Sequence, residues 1–131
     1  MKDETVSQFQ DKVAQLLIRH RSIVDSMTKF QESTAKVNRS VAKTVTHCGC
    51  LSINATRQSY PPEADLKECG KFVVSHLQGE LCEHCREVLE EVLGNHLFYL
   101  TALCHLLNTD LSEVISKEFE RLSTLGHFKL C

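Results

Sequence analysis

Cys48-Gly49-Cys50 and Cys82-Glu83-His84-Cys85 are two tight thiol pairs about thirty residues apart in the chain. Each pair stands beside a chain reversal or a helix start, so four sulfurs can converge on one tetrahedral point. Zinc favours closed sulfur sites of this kind, and close spacing within each pair lowers the entropy lost when the ligands assemble. The pattern predicts a four-cysteine metal site at Cys48, Cys50, Cys82 and Cys85. Zinc is the first choice of ion and an iron-sulfur cluster the second, because four thiolates serve both. Gly49 lets the chain turn tightly between its two cysteines. The second pair opens a strongly helical stretch, where the helix dipole and unpaired N–H groups stabilise thiolate charge. A thioredoxin-type redox use of Cys82-x-x-Cys85 is disfavoured because no βαβ pattern surrounds it.

His47 and His84 each neighbour a cysteine. With four thiols closing the site, they are expected to support the ligands by hydrogen bonding rather than to bind metal themselves. Cys104 falls on an apolar helix face and reads as core, while Cys69 and Cys131 lack partner spacing. His76, His96, His105 and His127 are scattered, and a lone histidine on a helix is more often a surface or core residue than a ligand.

Composition sets the frame around these residues. The chain has 131 residues, 42% of them hydrophobic, which suits one domain with its own core and is too short for two ordinary ones. A net charge of -2 gives no global attraction to nucleic acid or to an anionic membrane. No apolar run approaches the roughly 20 residues needed to span a bilayer, and the start Met1-Lys2-Asp3-Glu4 is too polar for a signal or transit peptide. The reading is cytoplasmic. There thiols stay reduced, and seven cysteines, an odd number, point to metal rather than to disulfides.

The elements that must position the thiols are mostly helical, so the expected class is all-α: a long N-terminal helix packed with a helical bundle, plus a small Cys-rich loop or hairpin. Residues 1–46 carry apolar residues on a three-four alternation from Val6 to Val41, with His20 and Thr34 at two seam positions, and contain neither Gly nor Pro. One unbroken helix of about 40 residues would be roughly 60 Å long, more than a domain of this size can cover, and therefore calls for a bend or a partner chain. The simplest partner is a second copy, giving a homodimer. Residues 47–62 read as the Cys-rich loop, with a short strand at Leu51–Ala55 and a turn at Tyr60-Pro61-Pro62. Residues 63–131 read as the helical core: a stretch from Glu63 to Gln78 interrupted by Gly70, a strong helix from Glu83 to Leu107, and a last helix opened by Asp110-x-x-Glu113 and ended by Gly126.

The segment Glu90-Glu91-Val92-Leu93-Gly94-Asn95-His96-Leu97-Phe98-Tyr99-Leu100, continuing through Thr109-Asp110-Leu111 to Lys117, resembles the second half of the MazG-like all-α nucleoside triphosphate pyrophosphohydrolases. The resemblance covers about a third of the chain. It implies a helical architecture and a magnesium-dependent site in which helix-borne carboxylates hold the metal that binds nucleotide phosphates. The corresponding positions are Glu87, Glu90, Glu91 and Asn95. Asn95 stands where the family has Asp, Val92 takes the place of a metal-binding Glu, and no Glu-Glu-x-x-Glu occurs upstream.

Three functions follow as expectations. The first is a metal-binding helical protein, not an enzyme, that acts as a binding or regulatory module through an unspecified protein partner. The second is a MazG-like magnesium-dependent pyrophosphohydrolase, and the third an iron-sulfur or thiol redox sensor using the same four cysteines. Nucleic-acid binding ranks lower. It would rest on Arg19, Arg21, Lys29, Lys36, Arg39 and Lys43, and such a run more often marks a solvated helix face.

Overall fold

In the computed structural model, residues 4–126 are described; the expectations placed on Met1 to Asp3, His127 and Cys131 lie outside them. The apolar seam of the N-terminal region does not run as one helix. It forms α1 (Glu4–Leu16) and α2 (Ile23–Lys43), parted by a non-helical link at residues 17–22. Arg19-His20-Arg21-Ser22 supplies the physical reason. His20 sits at a seam position and turns its ring edge-on to Tyr99, at 6.0 Å between centroids. The carbonyls freed by the break find donors, Arg21 Nε to Leu17 O at 2.7 Å and Ser26 Oγ to His20 O. Ser22 then starts α2 with Asp25 in its first turn, an S-x-x-D start signal embedded in the seam. The bend answers the length problem within one chain, so the geometric reason for a dimer no longer applies.

α2 and α4 (Glu83–Leu106) form the main helical pair. Their seam is lined with small polar groups: Ser26, Ser33 and Thr44 on α2 and just after it, and Thr101 on α4, are all buried. Ser33, Thr44 and Thr101 each donate to a carbonyl three or four residues back, as Ser33 Oγ does to Phe30 O at 2.7 Å and Thr101 Oγ1 to Leu97 O at 2.7 Å, while Ser26 reaches back to His20 in the link. Ser33 Oγ also meets His96 Nδ1 at 2.8 Å. Phe30 stacks on the same imidazole at 4.7 Å.

The apolar core lies at the far end of this pair, where α1 crosses the C-terminal half of α4. Val13, Leu17 and Ala102 are buried there, with Phe9, Phe98 and Leu106 packed around them. Past Leu106, the last residue of α4, Asn108 takes a φ of 52° and reverses the chain. α5 (Leu111–Leu125) follows, its first turn capped by Asp110 Oδ1, which accepts from Ser112 N at 2.9 Å. Gln10 of α1 clamps this corner from both sides, donating to Thr109 O and accepting from Leu111 N, each at 2.8 Å.

Between α2 and α4 the chain leaves the helical pattern. A π-helical turn, Thr44–Cys48, extends α2; strand β1 (Leu51–Ile53) pairs antiparallel with β2 (Leu77–Gly79); and the helix expected from Glu63 to Gln78 shrinks to the single turn α3 (Leu66–Cys69). The short strand after Cys50 was legible, its partner was not. Gly70 and a lack of burial explain the shrinkage: α3 has no buried residue to anchor a longer helix. The intervening loop is instead stitched by Gln58, which donates to Val74 O at 2.6 Å and accepts from Val74 N at 3.0 Å. Among the described residues the class is thus mostly helical, with one small two-stranded sheet. No helix among them is long and apolar enough to cross a membrane.

Candidate metal centre

The π-helical turn delivers the first thiol pair. Its extra residue per turn is closed by Gly49 N–H donating to Thr44 O at 2.9 Å, and the same oxygen lies 3.9 Å from Cys50 Sγ. Gly49 holds a left-handed φ of 82° with open space where a side chain would be, so conformation and not crowding calls for glycine. The hairpin aligns this pair with the second. Leu51, buried beside Cys50, pairs with Gly79, and Gly79 lies so close to the Cys50 carbonyl that a Cβ would meet its oxygen at 2.4 Å. Only glycine lets the strands close at this point. Three residues on, Cys82 becomes the N-cap of α4, and its sulfur accepts the Cys85 N–H at 3.4 Å.

The four sulfurs of Cys48, Cys50, Cys82 and Cys85 lie within 4.8 Å of one another. Cys48 Sγ and Cys82 Sγ are 3.8 Å apart. Four sulfurs bonded at about 2.3 Å to one tetrahedral ion would stand about 3.8 Å apart, whereas a disulfide needs about 2.05 Å. The sulfurs therefore have the spacing of ligands and not of disulfides, and all four are free thiols. The donor set fits a thiophilic ion.

Electrostatics at the four thiols agrees with their placement. The Cys85 backbone N–H pulls the Cys82 thiol down to about 7, and the Cys85 side chain adds to the pull. Cys85 is driven the other way, to about 12, first because its thiol proton is held by the Cys82 sulfur and then by burial. Without a metal the cluster thus keeps its proton on Cys85, while Cys82 gives up its own more readily than an ordinary thiol. A divalent cation would reverse that logic and draw every sulfur into the thiolate form.

The remaining residues singled out in the sequence fall elsewhere. His47 and His84 flank the cluster on exposed positions beside Cys48 and Cys85, outside the ligating group. Cys104 is partly buried on α4, where desolvation raises its thiol above the usual range. Cys69 lies in α3, away from the four. Glu87, Glu90, Glu91 and Asn95 are exposed along α4. Among the described residues they form no ligating group with other acids. Sequence reasoning missed the Leu77–Gly79 strand and the contact of Gly79 with Cys50. The available signal was Gly79 itself, the glycine that directly follows the stretch expected to be helical from Glu63 to Gln78 and stands three residues before Cys82.

No family model, curated protein or solved structure matches the chain.

Proposed function

We propose that this chain is a zinc-binding helical protein that works as a binding or regulatory module in a reducing compartment such as the cytoplasm. The observation that carries the reading is the convergence of four sulfurs from two distant pairs within 4.8 Å. One ion suits that spacing better than an iron-sulfur cluster, because a cluster interposes several irons and sulfides and spreads its cysteines further. Elemental analysis of protein purified without added metal is expected to find one zinc per chain. Cys→Ser at any of the four should abolish it, and Cys69→Ser, Cys104→Ser or Cys131→Ser should leave it unchanged. A visible absorption band with iron in its place would establish the redox-sensor reading instead, and protein without zinc or iron would end both.

The binding role is supported by α5. Val114, Ile115, Phe119 and Leu122 lie along one exposed side of this helix, with Phe119 at 71% exposure. The occupant we favour is a second copy. Charges of both signs border the face, and an antiparallel copy would set Glu113 against Arg121 and Ile115 against Phe119. Light scattering at micromolar concentration should then give a dimer mass that Phe119→Asp halves; a monomer at all concentrations would remove the dimer.

The MazG-like reading would require magnesium at Glu87, Glu90, Glu91 and Asn95. Pyrophosphate release from a common nucleotide at an enzymatic rate, lost in Glu90→Gln or Glu91→Gln, would establish it over the binding role.

A further inference from the structure

Beside the metal centre, a groove of about 370 Å3 opens between the last turns of α2 and the first turns of α4. One wall carries Lys36, Arg39 and Lys43, spaced three and four residues apart on the same side of α2, with the Ser40 hydroxyl between them. The facing wall is Val88 and Val92 of α4. No carboxylate lines the groove. Lys36 is drawn back by Glu32 at 3.0 Å, but among the described residues no ion pair engages Arg39 or Lys43. Two cations on one helix face, a hydroxyl beside them and an apolar wall opposite make a two-part site, one part for an anion and one for an organic body.

We propose that this groove binds a small organic phosphate, its phosphoryl group held by Arg39 and Lys43 and its organic part resting on Val88 and Val92. A phosphate suits the anionic half because it offers three terminal oxygens to a guanidinium fork, an ammonium and a hydroxyl where a carboxylate offers two, and carries close to twice the charge opposite two cations. His47 and His84 also line the groove and can add ring N–H donors. The groove volume falls in the range of small-ligand sites, about 300–1,000 Å3, and inorganic phosphate alone would leave the valines uncovered. Cys48 and Cys85 also line the groove, so ligand and metal centre share a wall. The proposal goes beyond the zinc reading, because its cations and valines stand on α2 and α4 and not on the cluster. It has one rival for the cations: a zinc tetrathiolate carries a formal charge of about -2, which Arg39 and Lys43 would serve only to neutralise.

Calorimetric titration of the full chain with phenyl phosphate, inorganic phosphate and phenol tests it, with zinc content measured on the same samples. Saturable binding of phenyl phosphate is expected, at least tenfold tighter than inorganic phosphate and absent for phenol. The double substitution Arg39→Ala and Lys43→Ala, both at exposed positions, should weaken it tenfold or more with the circular dichroism spectrum and zinc content unchanged. Val88→Ser with Val92→Ser should lower phenyl phosphate toward the level of inorganic phosphate. No saturable binding, or binding that survives the double substitution, overturns the site. So does a double variant that sheds zinc while the parent shows no phosphate binding, which assigns the cations to the cluster alone. Absence of zinc from every sample defeats the metal reading without touching the titration, so the two can fail separately.

Discussion

The two ends of the α2–α4 pair are held by different physics. At one end α1 closes over α4 and buries Val13, Leu17 and Ala102 among Phe9, Phe98 and Leu106. At the other, Leu51 is the single buried hydrophobic residue among the described residues 44–85, and what converges is sulfur. The first end is held by removing apolar surface from water, which needs no cofactor. The second end has too little apolar surface to offset the ordering of its long loop, and is expected to depend on an ion that closes it. A domain can therefore keep its helical body and lose only its cysteine end.

The largest effect expected from breaking this contrast is loss of the metal itself. Structural zinc in small peptides binds with roughly 10–16 kcal/mol, and that energy adds to folding where the site exists only in the folded chain. Cys82→Ser, or a strong chelator, should lower the melting temperature by on the order of 10 °C and raise hydrogen exchange across residues 47–78, with α1 and the C-terminal half of α4 still protected. Uniform exchange along the chain would show that the two ends are one cooperative unit.

Next in size is the pH dependence of metal binding. Zinc takes thiolates, so every thiol that is protonated before binding must release its proton. Cys85, held at about 12, is protonated throughout the ordinary range, and Cys82, at about 7, joins it as the pH falls through neutrality. Apparent affinity should therefore fall with falling pH, at least tenfold per unit and more steeply below about 7, or about a hundredfold or more between pH 8 and 6. A competition titration with a chromophoric chelator reads this directly, and a flat profile would mean that the sulfurs do not bind the metal.

The apolar end gives the complementary test. Leu17→Ala empties part of a core with few members and should cost about 2–5 kcal/mol in denaturant unfolding, while zinc content stays at its parental value. Loss of zinc in that variant would show that the core positions the cluster after all.

The smallest expected change separates conformation from contact. Gly79→Ala forces a Cβ against the Cys50 carbonyl at a φ of 91°, and should cost about 1–3 kcal/mol and speed metal release. Gly94→Ala, in the middle of α4 with nothing within 4 Å, should instead stabilise by about 0.5–1 kcal/mol and leave metal release alone. Equal behaviour of the two variants would remove the role given to the hairpin.

Much of this arrangement was legible in residue types and spacing. Cys48, Cys50, Cys82 and Cys85 were nameable as one group because two tight thiol pairs have few other uses, and the helices around Val92 and Ile115 followed from periodicity and from the Asp110 cap. These signals are local: a cap, a repeat and a ligand pair each act within a turn or two of the chain. Tertiary structure alone decided the rest. The seam from Val6 to Val41 had the pattern of a single helix, and the break at Arg19–Ser22 became visible only where His20 could reach Tyr99 and the freed carbonyls could find Arg21 and Ser26. The partner of β1 lay more than twenty residues away, and no local propensity specifies a pairing whose reason is the close approach of Gly79 to Cys50. Nor could spacing tell that Arg39 and Lys43 would face Val88 and Val92, since that depends on how two helices distant in sequence are rotated against each other, a quantity set by packing.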